Sequence, residues 1–167
     1  MRAASATAAT VPAYGSSQQR RGLEAGLPAA VDLEHERRLH ALLAGLVAAG
    51  LAPTAHDVSD GGLAVALCEC AFAGPRGIGA RVELVDRIRP DALLFGEAPG
   101  RVLVATVAAE EVLRRAPEAR VPAREIGRTG GERLVIGPPG GPAWIDAPLE
   151  RLRAIWADAI PRRMEGR

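Results

Sequence analysis

Residues 63–73 are apolar on nearly every side, with Glu69 the chief interruption. A helix of that composition has no face suited to water, so it must sit between other layers of structure. An extended stretch at 54–58 leads into it through Ser59-Asp60-Gly61-Gly62, and Gly74 closes it. A strand feeding a buried helix calls for a sheet on one side of that helix and more chain on the other. A chain of 167 residues can bury about 70% of its unfolded surface, enough to fold without a metal or disulfide staple. Its aromatic residues are two Trp, two Phe and one Tyr, so Leu, Val, Ile and Ala have to fill the core.

The flanking pattern supplies the other layers. From Asp32 helical spacing begins abruptly: Leu39, Leu42, Leu43, Leu46 and Val47 recur on one face, Asp32 caps, Glu34 and Glu36 sit in the first turn, and Gly50 ends the helix. Alternation at 80–84 predicts a strand, Pro90 opens a short helix reaching Phe95, and 101–107 is the strongest strand in the chain. Residues 108–116 predict an amphipathic helix around Val112 and Leu113. Two strands, 123–128 and 133–136, flank Thr129-Gly130-Gly131-Glu132, which has the chemistry of a hairpin turn. A proline–glycine loop covers 137–142, and Leu149, Leu152, Ile155 and Trp156 predict a last helix started by Pro148. This order predicts an α/β (α+β) sandwich, a mixed sheet with helices and a partly ferredoxin-like topology. Residues 1–31, with clusters of Ser, Gln, Gly and Pro, read as tail or linker; 32–161 read as the folded domain and 162–167 as a C-terminal tail.

Composition removes several classes of function. The 21 basic residues, all arginine, against 20 acidic ones leave a net charge of +1, which argues against nucleic acid or an anionic membrane as partner. Without lysine there is no Schiff-base lysine, no lysine general base and no lysine-bearing phosphate loop. Cys68 and Cys70 point about 200° apart around one helix, so they do not share a metal and read as small buried residues in a reducing, cytoplasmic setting. No apolar run is long enough to span a bilayer, and residues 1–14 lack the continuous hydrophobic stretch of a secretory signal. His35 and His40 lie five apart on the first helix, off the spacing for a shared ligand, and are expected to face solvent. The mixed charges of 120–133 predict a solvated face.

The densest chemistry is His56-Asp57-Val58-Ser59-Asp60-Gly61-Gly62. A strand delivers carboxylates into a turn, and two glycines let backbone approach a ligand closely at a helix N-terminus. Asp57, Ser59, Asp60, Gly61 and Gly62 are therefore candidates for holding a phosphate, with Asp57 and Asp60 binding Mg²⁺ directly or through water; without the cation the carboxylates would repel the anion. The competing reading makes Asp60 the N-cap of the helix, Ser59 a turn residue and His56 a backbone partner. Glu97, in the loop Gly96-Glu97-Ala98-Pro99-Gly100 before the strongest strand, is a further candidate, against the plainer reading of a solvated loop carboxylate.

Residues 55–67, Ala-His-Asp-Val-Ser-Asp-Gly-Gly-Leu-Ala-Val-Ala-Leu, resemble a signature of the formylglycinamidine ribonucleotide (FGAM) synthase family. Two further blocks follow in order: Leu94-Phe95-Gly96-Glu97-Ala98-Pro99-Gly100-Arg101-Val102-Leu103-Val104 and Ile126-Gly127-Arg128-Thr129-Gly130-Gly131-Glu132-Arg133-Leu134. Pro148-Leu149-Glu150-Arg151-Leu152 with Trp156 suits the family's C-terminus, and residues 27–33 resemble its linker, whereas Gln18-Gln19 depart from it. The resemblance covers residues 22–161 and implies the AIR-synthase-like C-terminal domain of a longer ligase of purine biosynthesis, with residues 1–31 the remnant of a preceding domain. It implies ATP and Mg²⁺ as cofactors, and as partners an ATP-binding domain, a glutaminase subunit and a small accessory subunit. It implies no catalytic residue in this chain, since the catalytic histidine belongs to other segments. Thiamine-monophosphate kinase and selenophosphate synthetase are related alternatives, against which Gly61-Gly62 and the Glu97–Arg101 block speak. A non-catalytic partner- or nucleotide-binding domain is the alternative of a different class.

Overall fold

The computed structural model describes residues 2–7, 31–74 and 77–166. In chain order these form β1 (Arg2–Thr7), α1 (Leu33–Ala48), β2 (Thr54–Asp57), α2 (Gly62–Phe72), β3 (Ala80–Glu83), α3 (Pro90–Phe95), β4 (Arg101–Thr106), α4 (Ala109–Glu118), β5 (Ala123–Thr129), β6 (Arg133–Gly137), β7 (Ile145–Pro148) and α5 (Leu149–Met164). The strands make one mixed sheet in the order β2-β4-β1-β5-β3-β6-β7. All neighbours run antiparallel except β3 and β6. Helices pack on both faces, the α/β sandwich the element order predicts.

Side-chain alternation along β4 divides the core. Val102 and Val104 point to a cluster with Leu39 and Leu46 of α1, Val112 of α4 and Val121. Leu103, between them, joins the other cluster with Leu63 and Leu67 of α2, Leu93 and Leu94 of α3, Val82, Leu134, Ile136 and Leu149. Helix α2, apolar but for Glu69, thus lies inside the layer formed with α3 and α5, and each fully buried Leu there contributes about 1.5–3 kcal/mol. Asp32 caps α1, accepting from the Glu34 and His35 N–H groups at 3.0 Å each. Its other end closes at Gly50, where the Gly50 and Leu51 N–H groups return to Val47 and Leu46 carbonyls.

Four expectations need correction. Arg2–Thr7, inside the stretch read as tail, is a strand held between β4 and β5; residues 8–30, with Gln18-Gln19 and the linker-like segment, lie outside the described residues. β5 and β6 are not a hairpin, because β3 lies between them, antiparallel to β5 and parallel to β6. The Gly130-Gly131 pair exchanges backbone hydrogen bonds with Gly79 on the way into β3, at 2.7 and 2.8 Å, and Val82 and Leu84 gain burial that a sheet edge would deny them. β7, inside a stretch read only as the approach to the last helix, pairs with β6 through Ile145↔Ile136 and its neighbours. The last helix runs through Pro161 to Met164, so the presumed tail begins as helix. Pro161 has no N–H to offer the carbonyl of Ala157, so the helix continues past it with that intrahelical bond missing.

Candidate functional site

β2 and β4 are antiparallel neighbours, with His56 opposite Leu103 and Asp57 opposite Val102. Their loops therefore meet at one end of the sheet. Beyond the last pair, the Val58 N–H donates to the Arg101 carbonyl at 2.9 Å, fixing residues 57–60 beside residues 97–101. Asp57, Ser59, Asp60, Glu97, Pro99 and Arg101 are among the residues lining an open depression of about 300 Å³ between the loops. All four candidates with polar side chains are thus brought together, and Gly61 and Gly62 form the adjoining turn.

The turn is built differently from the cap that the sequence suggests. The N-cap of α2 is Gly61, in the left-handed region at φ 79° and with no side-chain cap, while Asp60 is exposed. The acceptor comes from the opposite loop: Glu97 Oε1 takes the Gly61 N–H at 2.9 Å. Glu97 therefore bonds backbone across the site and is not a freely solvated carboxylate. The Gly62 N–H is also engaged, donating to the Ser59 carbonyl at 3.0 Å. Both glycine N–H groups are spent within the protein.

Asp57 is an exposed carboxylate held below its usual range, chiefly by a side-chain hydrogen bond with Ser59, with desolvation opposing and His56 assisting. His56 Nδ1 lies 2.6 Å from the Asp57 carbonyl and its Nε2 lies 3.4 Å from Glu69, so the histidine turns from the depression toward α2. Among the described residues no group of three or more His, Cys, Asp or Glu could hold a metal ion. The two exposed carboxylates Asp57 and Asp60 still suit Mg²⁺ of the kind that keeps its waters and is held jointly by phosphate oxygens.

Two residues at the site escaped the sequence reading. Arg101 is 4% exposed, lines the depression and donates from Nη1 to the Gly96 carbonyl at 3.2 Å. Burial draws its guanidinium below the ordinary value, with Asp86 opposing and Arg124 adding to the effect; it remains a cation. The available signal was a charge heading an otherwise apolar strand. His35, expected in solvent, is 9% exposed and its Nε2 has no hydrogen-bond partner. It packs behind Gly100, where a side-chain carbon would come within 3.2 Å of the imidazole and 2.7 Å of Glu36 Oε1. The N-terminal turn of α1 thereby braces the loop that carries Glu97. The cysteines are half-buried, and burial, with Glu69 nearby, pushes both thiols up to about 11.

The chain belongs to the family of the AIR synthase related protein, C-terminal domain, whose model matches residues 12–137. It is 45% identical over 157 residues to the phosphoribosylformylglycinamidine synthase subunit PurL of Moorella thermoacetica, covering 91% of this chain and 21% of that protein. Among solved structures, Thermotoga maritima PurL complexed with FGAR matches with a TM-score of 0.71 at 19% identity, over 90% of this chain and 27% of that one. The ATP complex of T. maritima PurL gives 0.69 at 19% identity, over 90% and 25%. The PurLQS structure from Thermotoga maritima gives 0.67 at 19% identity, over 89% and 25%. These likenesses show the shared fold. The chain spans about a fifth of the length of the curated relatives it matches.

Proposed function

We propose that this chain serves as the C-terminal domain of a phosphoribosylformylglycinamidine synthase. The observation that carries the reading is the 45% identity over 91% of the chain, confined to 21% of the relative: the likeness falls on one domain of a longer synthetase. In the reaction implied, ATP gives its γ-phosphoryl group to the amide oxygen of formylglycinamide ribonucleotide. Ammonia then adds to the same carbon, and phosphate leaves as the amidine forms. The chain's contribution is the depression between its two loops. Asp57 and Asp60 would hold Mg²⁺ at nucleotide phosphates, Ser59 would orient Asp57, and Arg101 would face the phosphate charge. Gly61, Gly62 and Glu97 would fix the turn that presents them. Magnesium, when bound, neutralises phosphate charge.

The partners of this reading are the rest of the synthetase with its ATP-binding domain, a glutaminase that supplies ammonia and a small accessory subunit, in the cytoplasm. The T. maritima PurLQS structure supports an assembly of that kind, and the ATP complex supports a nucleotide as ligand. No helix among the described residues is long and apolar enough to cross a membrane. The test is complementation. The M. thermoacetica subunit lacking its matching segment is assayed for ATP- and ammonia-dependent amidine formation, with and without this chain added. Neither piece alone should turn over, and the mixture should. Turnover by this chain alone, or no gain from a folded mixture, would overturn the proposal.

A further inference from the structure

Arg101 and Arg124 stand on the same face of the sheet. Arg101 shares its side of β4 with Leu103, and Arg124 its side of β5 with Ile126, both members of the core cluster that holds α2 and α3. One strand separates them: β1 pairs with both, Thr7 opposite Arg101 and Ser5 opposite Arg124. Two long cationic side chains therefore start from the end of the sheet that carries the depression. The segment between β3 and α3 brings one carboxylate to them, Asp86.

Arg124 takes that carboxylate. Its Nη2 donates to Asp86 Oδ2 in a partly buried ion pair. Arg101 has no ion pair with any described residue, and its hydrogen bond within the protein runs from Nη1 to the Gly96 carbonyl. The nearby acceptors are committed elsewhere, Glu97 to the Gly61 N–H and Asp57 to Ser59. No nitrogen of Arg101 is buried without a partner, although Nε of Arg124 is. The donors of Arg101 that find no acceptor in the protein thus open on the depression that Arg101 lines.

The division matters because Asp86 acts on both guanidiniums but bonds one. At Arg101, burial disfavours the charge, Asp86 supports it and Arg124 opposes it. A buried cation without a bonded counter-ion is costly, and a phosphate in the depression would supply what is missing. Without Arg124, Asp86 would be a partly buried carboxylate with no partner, facing a buried cation in the same position. Pairing would relieve both, and Arg101 would turn from the depression toward Asp86.

We propose that Arg124 is a positioning residue for the site: by holding Asp86 it denies Arg101 an internal partner and keeps the Arg101 guanidinium directed at a phosphate in the depression. This assignment rests on the nucleotide reading given above. Two measurements on the full chain test it, the NMR signal of the Arg101 Nε–H without nucleotide and the affinity for Mg-ADP. Arg124→Gln should move the Arg101 signal and weaken Mg-ADP binding about tenfold, the size of one lost charge-assisted hydrogen bond. Adding Asp86→Asn removes the competing carboxylate, so the double variant should return both readings to wild type, which also shows that it is folded. Asp86→Asn alone should leave both near wild type. The loss in Arg124→Gln, taken as a ratio to wild type, should persist near 1 M salt, where a Debye length of about 3 Å erases the influence of a remote charge. An unmoved Arg101 signal in Arg124→Gln, a loss that Asp86→Asn does not restore, or a loss that vanishes at high salt would each overturn the role of Arg124 and leave the nucleotide reading standing. A wild type that does not bind Mg-ADP would overturn both.

Discussion

Gly62 and Gly131 share a backbone conformation, φ +69° at each, but not an environment. A methyl group on Gly131 would meet nothing within 4 Å, whereas on Gly62 it would lie 2.8 Å from the Cα and carbonyl carbon of Phe95 and 2.9 Å from the Leu94 carbonyl oxygen. Alanine at either site bears the left-handed penalty of roughly 1–2 kcal/mol. At Gly62 the contact is with backbone, which cannot swing aside, and overpacking of that kind adds about 1–3 kcal/mol. Gly131→Ala should therefore cost about 1–2 kcal/mol and Gly62→Ala about 2–5 kcal/mol. With a urea slope of about 2 kcal/mol per molar, Gly62→Ala should unfold at a midpoint about 0.5–1.5 M below Gly131→Ala. The comparison cancels the conformational term and isolates the seating of α2 on the end of α3. Equal midpoints for the two variants would refute the claim that this close approach is what demands a glycine at residue 62.

Glu97→Ala should cost about 1–3 kcal/mol, because it strands the Gly61 N–H, while Glu97→Gln keeps an oxygen acceptor and should recover most of that; amide exchange at Gly61 reports the bond directly. Asp57 has a folded-state pKa below its ordinary 3.8, so its contribution to stability is complete above that value and is lost as pH falls through the depressed one. Ser59→Ala should move the Asp57 titration, followed by carboxyl NMR, back up toward the ordinary value. An unmoved titration would remove Ser59 as the cause. The thiols of Cys68 and Cys70, pushed up to about 11, should react with iodoacetamide well below the rate of a free thiol at neutral pH and accelerate steadily as the solution approaches pH 11.

Local signals in the sequence were legible wherever a local cause decides the structure. Asp32 caps α1, Pro90 opens α3 and Gly50 closes α1 because each acts on the few residues beside it. The burial of α2 followed from its composition alone. The site was half legible: its residue types converge, but the source of the cap did not show. Asp60 has the right chemistry and adjacent position, yet Glu97, 36 residues away, takes the N–H, since loop meeting loop is fixed by the pairing of β2 with β4 and not by sequence distance. His35 was misplaced for the same reason. Helical spacing puts it on the stripe with Leu39, Leu42 and Leu46, but only the position of Gly100 shows that a small residue waits there to receive an imidazole.

The misread hairpin has the widest consequence. Thr129-Gly130-Gly131-Glu132 carries the composition of a tight turn, and turn composition constrains only how a chain reverses, not whether another strand enters between the arms. Two glycines without side chains leave the mouth of the loop open to Gly79, whose N–H and carbonyl bond there. β3 then fills the slot with Val82 and Leu84, 1% and 2% exposed. That insertion sets the charge pattern as well as the core. Were β5 and β6 paired to each other, Arg128 would lie near the start of β6 and Arg81 would be elsewhere; with β3 between them, Arg81 stands opposite Arg128. The parity that turns Val82 and Leu84 inward turns Arg81, Glu83 and Val85 outward, because successive residues of a strand face opposite ways.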